Sequence, residues 1–269
     1  MNRLAKLFLA AGLTGLLAAV GAADGPRRES APARARADGA VVPAPAEPDV
    51  RPLVWVVDGA GDLKGCSGAF AQANLLAGGA VELSTFPWSH GHGRLLLDQT
   101  DRAHARAQGE RLAAAILDRK KREPNRRVVL VAHSAGCAVA LAAGDRLPPD
   151  SVDRTILLAP SVSAGYDLRP SLWAAREGLD VFCSRKDWVA LGFVVRVVGT
   201  ADRGSGGAAG RFGFRPVGPA ALGPGRNARL RQHFWSAEQA WTGHTGGHLG
   251  MHSPAFVHAY LFPLVGAAK

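Results

Sequence analysis

Three side chains stand in an order that could perform nucleophilic chemistry: Ser134, Asp187 and His248. Ser134 lies in Ala132-His133-Ser134-Ala135-Gly136, after the apolar run Arg127 to Ala132 and at the start of the small-residue stretch Ala135 to Ala143. Tiny residues two places before and two places after a serine suit a sharp strand-to-helix turn, because larger side chains would collide where the backbone bends. Glycine is commoner at the first of these places, which Ala132 occupies here. Such a turn would lift the Ser134 hydroxyl to a helix N-terminus, where free N–H groups and the dipole favour a developing anion. The plainer alternative is a serine that only caps the helix.

A serine hydroxyl becomes a nucleophile when a base takes its proton, and the base needs a third group to hold its tautomer. Asp187 follows the apolar run Leu179 to Cys183 by way of Ser184, Arg185 and Lys186, which puts a carboxylate just past a strand end. Its simpler role would be to cap a helix beginning at Trp188. Asp167, in the loop after the preceding strand, is the alternative acid, whereas Asp180 falls at the start of its strand. For the base, His248 lies in the glycine-rich segment Gly246 to Pro254, ahead of the amphipathic stretch Ala255 to Leu264. His252 and His244 are its rivals. Trp235 and Trp241 are expected to pack against the last strand and its loop.

Two other chemistries have partial signals. Gly59-x-Gly61-x-x-x-Gly65 after an apolar strand has the character of a dinucleotide-binding turn, but its spacing is one residue too long. The Tyr and Lys four residues apart that a short-chain dehydrogenase needs are missing too, since Tyr166 leads to Pro170 and Tyr260 to Leu264. His90-x-His92 lacks a carboxylate where Arg94 stands, and His248 with His252 lacks the glutamate of a zinc-protease helix. His90 and His92, beside Trp88, are expected to line or border a pocket. No cofactor and no metal is implied.

The elements that must position these side chains are legible from periodicity. Short apolar runs at Leu53 to Val57, Val81 to Phe86, Arg127 to Ala132, Thr155 to Leu158 and Leu179 to Cys183 predict strands. Between them, helical spacing predicts helices at Cys66 to Leu76, Arg102 to Arg122 and Ala135 to Ala143. Continuous rather than alternating apolar strands imply burial on both faces. The fold class is therefore α/β, with a mostly parallel, doubly wound sheet and helices on both faces. In such sheets, ligands bind at the carboxyl ends of the strands.

Across residues 53 to 267 the strand and Gly-x-Gly loop (Asp58-Gly59-Ala60-Gly61-Asp62), the Ser134 turn, Asp187 and His248 come in order, and in this the chain resembles the α/β-hydrolase family. The resemblance implies a serine hydrolase of the esterase or lipase kind, cleaving an acyl ester through a Ser-His-Asp triad and an acyl-enzyme. It also implies that the N–H groups of Ala60 and Ala135 form the oxyanion hole. Many relatives have His-Gly where Asp58-Gly59 stands here. Serine at the nucleophile position disfavours aspartate-type opening of haloalkanes or epoxides. The same triad would serve an acyltransferase or thioesterase, and a non-catalytic secreted binding protein on this fold is a further alternative. A small-molecule or lipid acyl substrate is the expected partner.

The chain ends carry different information. Arg3 and Lys6, the charge-free stretch Leu7 to Val20 and the small residues Gly21 to Ala23 have the layout of a signal peptide over residues 1–23. The stretch falls short of the ~20 apolar residues that span a bilayer, although an uncleaved anchor is the alternative. Residues 24–50, rich in Pro, Ala and Arg, read as a flexible linker, and residues 51–269 as one α/β-hydrolase domain. Export to the periplasm or the exterior follows. The 32 Lys and Arg against 22 Asp and Glu give a net charge of +10, which favours weak attraction to anionic membrane surfaces. The one dense basic run, Arg119 to Arg122, closes a helix, where cations suit the dipole, so nucleic acid is not the expected partner. Three cysteines, Cys66, Cys137 and Cys183, leave room for at most one disulfide.

Overall fold

The inner strands of the central sheet send alternate apolar side chains to opposite faces, and both faces are buried there. In β1 (Leu53–Val57), Leu53 and Val57 join one core cluster while Val54 and Val56 join the other. β3 (Val128–His133) does the same, with Val128, Leu130 and Ala132 against Val129 and Val131. This two-sided burial explains why the strands read as continuous apolar runs. The computed structural model describes residues 50–188, 190–191, 198–204, 207–216 and 221–266. The expected signal peptide, and the linker apart from its last residue, lie outside them.

Six parallel strands form the sheet in the order β2-β1-β3-β4-β5-β6, where β2 is Glu82–Thr85, β4 Arg154–Leu158, β5 Leu179–Cys183 and β6 Leu230–Phe234. One face is covered by α3 (Arg102–Arg122) and α4 (Gly136–Gly144), through residues such as Leu112, Ile116 and Leu141, and by Leu172 of the short α5 (Arg169–Ala174). The other is covered by α1 (Gly65–Leu76), through Phe70 and Ala73, and by Phe256, Leu261 and Phe262 near the C-terminus. Those three residues belong to helical turns at Pro254–Phe256, Val257–Leu261 and Phe262–Val265, the middle one a π-turn. The architecture is the doubly wound α/β-hydrolase fold. Its strand order reverses direction between β1 and β3, so the carboxyl ends of these two strands flank the crevice where such sheets bind ligands.

Two elements escape periodicity. β6, Leu-Arg-Gln-His-Phe, is an edge strand with partly exposed side chains, so it carries no apolar run. Its polar residues instead serve Asp180, which is fully buried in β5 and bonded by Arg154 at 2.5 Å, Arg231 at 2.8 Å and His233 at 2.8 Å. Burial alone would raise the Asp180 pKa, but the hydrogen bonds from His233, Arg231 and Arg154 hold it far below the ordinary carboxylate range. The second is α2 (Leu95–Thr100), a helix too short to show a period. Cys66, Cys137 and Cys183 are all buried free thiols, so none of them is paired.

Candidate active site

Ser134 stands where β3 breaks into α4, with a left-handed φ of 52°. A non-glycine residue there is strained and persists only because its surroundings hold it. The Ser134 N–H donates to Leu158 O at 2.9 Å, and its carbonyl accepts from Cys137 N at 3.1 Å and Ser161 N at 3.3 Å. The turn abuts the end of β1 so closely that a Cβ on Gly136 would lie 2.3 Å from Asp58 O. A Cβ on Gly59 would lie 2.8 Å from His133 Nδ1 and 3.3 Å from Ser134 Cβ. Hence the small residues at Gly59 and Gly136 let the β1 loop touch the serine turn. Neither Ala60 N–H nor Ala135 N–H has a protein acceptor among the described residues.

His248 opens a 3-10 turn, His248–His252. Its Nε2 lies 2.8 Å from Ser134 Oγ and its Nδ1 lies 2.5 Å from Asp187 Oδ2. A carboxylate only accepts, so Nδ1 carries the proton and Nε2 is left to accept from the serine hydroxyl. Asp187 is buried, and its other oxygen accepts from Leu191 N at 3.2 Å, so the carboxylate both orients the histidine and caps the backbone that follows. Ser184 Oγ donates to Gly246 O at 2.5 Å, tying the loop of the acid to the loop of the histidine. Trp235 reinforces that tie by donating from Nε1 to His244 O at 2.7 Å under the Lys186 ammonium.

The other sequence candidates lie elsewhere. Asp167 is partly exposed and locked to Arg169 at 2.5 Å, on the rim of a separate hollow of about 530 Å³ that also includes Tyr166, Arg102 and Asp202. His244 is buried against the Phe256 ring, and its Nδ1 accepts from Gly246 N at 3.3 Å. His252 has its ring 4.3 Å from that of His133, which in turn lies 4.8 Å from the His248 ring at a tilt of 50°. Contrary to expectation, neither His90 nor His92 lines the serine cleft: His90 is bonded to Asp98, and His92 is exposed without a hydrogen bond among the described residues. Trp241 is 70% exposed rather than packed on its loop. The sequence also offers the hydrophobic segment Trp188 to Val198 and the glycine-rich stretch Gly204 to Gly213 as a cap over the site, or equally as a surface helix and loop; residues 189, 192–197, 205 and 206 of these are outside those described.

Two buried groups were not singled out from sequence. His133, beside the nucleophile, places Nε2 3.3 Å from His248 O, and burial, with His252 and His248 adding to it, lowers its pKa well below that of a free histidine. It therefore forms a neutral floor under the base. Asp98 is the other, in Leu95-Leu96-Leu97-Asp98, where the only hint in the sequence is a carboxylate interrupting an apolar run. A cleft of about 90 Å³ opens over Ser134, lined by Gly59, Ala60, Leu63, Leu95, Leu249 and His252 among others. Its walls are largely apolar.

A parallel sheet with its switch point at the serine turn, and a carboxylate, imidazole and hydroxyl in one hydrogen-bonded line, place the chain among proteins of the α/β-hydrolase fold. Residues 95–177 match a family model described as serine hydrolase, a stretch that holds Ser134 but neither Asp187 nor His248. No curated protein matches the chain in sequence. Among solved structures it is similar to a cutinase-like protein from Cryptococcus sp., at 14% identity and a TM-score of 0.44, over 81% of this chain and 97% of that one. It is also similar to a protein described as a hydrolase of the alpha/beta superfamily from Xanthomonas campestris pv. campestris, at 15% identity and a TM-score of 0.39, over 77% and 96% of the two chains.

Proposed function

We propose that this protein is an exported serine hydrolase that cleaves a carboxylic ester, with residues 51–269 forming the catalytic domain behind a signal peptide and linker. The observation that carries the reading is the hydrogen-bonded line Asp187–His248–Ser134 at the switch point of the sheet. His248 Nε2 takes the Ser134 proton as Oγ attacks the acyl carbonyl. Asp187 holds the ring and offsets the charge of the imidazolium that forms. The N–H groups of Ala60 and Ala135 receive the oxyanion. The imidazolium then protonates the departing alkoxide, leaving the acyl group on Oγ. Water, deprotonated by His248, attacks that ester and releases the acid and the free serine.

The small apolar cleft with Leu63, Leu95 and Leu249 supports an ester with a short apolar acyl group. The net charge of +10 supports weak association with anionic membrane surfaces.

Labelling of the mature domain by a fluorophosphonate probe tests the reading. Wild-type protein labels covalently, and Ser134→Ala does not label and loses on the order of 10⁶ in turnover. A folded wild type that resists the probe, or a mutant that still labels, refutes it.

A further inference from the structure

We propose that Asp98 is the positioning residue of the oxyanion hole, acting through the Gly61 backbone to hold the Asp58–Asp62 loop at its working distance from Ser134. This role rests on the hydrolase reading. The carboxylate is 2% exposed and accepts four hydrogen bonds: from Gly61 N at 2.7 Å, Ser89 Oγ at 2.5 Å, His90 N at 2.9 Å and His90 Nδ1 at 2.8 Å. Three of these fasten the carboxylate to the loop after β2, and the fourth reaches across 37 residues to the loop after β1. Burial alone would raise the Asp98 pKa, but the bonds from Ser89, Gly61 and His90 outweigh it and keep the carboxyl below its ordinary range. The group is thus an anion with its acceptor sites occupied by donors.

Gly61 is fixed on both sides. Its N–H goes to Asp98, and its carbonyl accepts from Gly93 N at 2.9 Å. Further back in the same loop, Asp58 Oδ1 caps α1 by accepting from Cys66 N at 2.9 Å and Ser67 N at 3.0 Å, and Asp58 O accepts from Trp88 Nε1 at 2.8 Å. The peptide between these anchors, Gly59-Ala60, contacts the serine turn and carries the N–H assigned to the oxyanion. A donor counts in catalysis only when it is already aimed at the place where charge develops, since reorganising it during the reaction forfeits the gain. Asp98 supplies that aim from the Gly61 side without touching substrate.

Asp98→Asn tests this, because the amide keeps the size and one acceptor but turns a second acceptor into a donor facing other donors. On a short-chain p-nitrophenyl ester we expect kcat to fall about 10- to 100-fold, less than the loss of a whole oxyanion donor, with KM within about 2-fold. The pH profile should keep its shape, because Asp187 and His248 are untouched. Fluorophosphonate labelling should slow in parallel but still reach one probe per Ser134.

Should Asp98→Asn fail to fold, Asp98→Glu takes its place, keeping the charge while displacing it. Unchanged kcat per titrated serine in the folded variant overturns the role. So does a fall explained wholly by a smaller titratable fraction, since that marks a residue needed only for folding. A wild type that neither labels nor turns over overturns the hydrolase reading, and this role with it, whereas an active wild type with an equally active variant overturns this role alone.

Discussion

Acid should unfold this protein earlier than its carboxylates require, because its buried histidines must stay neutral. His244 lies against Phe256, and burial lowers its pKa to about 4. His252, packed on His133, is lowered to about 4 by burial first and by the facing His248 second, with Asp58 opposing. In the unfolded chain both titrate near the ordinary value of about 6.5. Between about pH 4 and 6.5 the unfolded state therefore binds more protons than the folded one, so stability is full above that window and falls as pH drops through it. At pH 5 each group costs about 1.5 pKa units, or about 2 kcal/mol, so the pair removes about 4 kcal/mol from the roughly 5 to 15 kcal/mol that a domain has. His133, lowered by burial, acts in the same direction.

Of the acidic groups, Asp145 is raised by burial and so opposes the histidines in part as pH falls. Glu177, bonded foremost by Arg127, is held at about 2, and Asp98 is also held low, so both stay ionised at pH 5. The assay is urea unfolding at constant ionic strength at pH 7.5, 6.5, 5.5 and 5.0, comparing midpoints at unchanged m. His252→Gln should recover about half of the difference between pH 7.5 and 5.0. Midpoints that coincide across that range would refute the reasoning.

Two substitutions separate roles within the site. Asp187→Asn keeps an acceptor for Leu191 N but presents the wrong partner to His248 Nδ1, so kcat should fall about 10⁴-fold, while Asp167→Asn, whose carboxylate is spent on Arg169, should stay within about 2-fold; steady-state ester hydrolysis reads both. Gly136→Ala forces a methyl to within 2.3 Å of Asp58 O and 2.8 Å of Val57 O, backbone atoms that cannot rotate away, and denaturant titration should show a loss of about 3 kcal/mol or more.

How much of this was legible beforehand follows from which interactions are local. β1, β3, β4 and β5 could be read because both of their faces are buried, so that composition alone marks them. The serine turn was legible because its constraint acts over five consecutive residues. The order Ser134, Asp187, His248 marked out candidates, but nothing local separates Asp187 from Asp167, or His248 from His244 and His252. Distances across more than sixty residues do that: Ser184 to Gly246 joins two loops, and His248 falls within reach of Ser134 and Asp187 together.

β6 stayed hidden because an edge strand buries little and spends its side chains on Asp180. Asp98 stayed hidden because its partner is a backbone N–H 37 residues away, a contact that leaves no trace in residue types. The sequence by itself determined the layers of the fold and the residue types able to do the chemistry, since burial and tight turns act on nearest neighbours. Only the tertiary structure decided which carboxylate meets which histidine, and how the loop beside Ser134 is held, because those choices depend on loops that chain folding alone brings together.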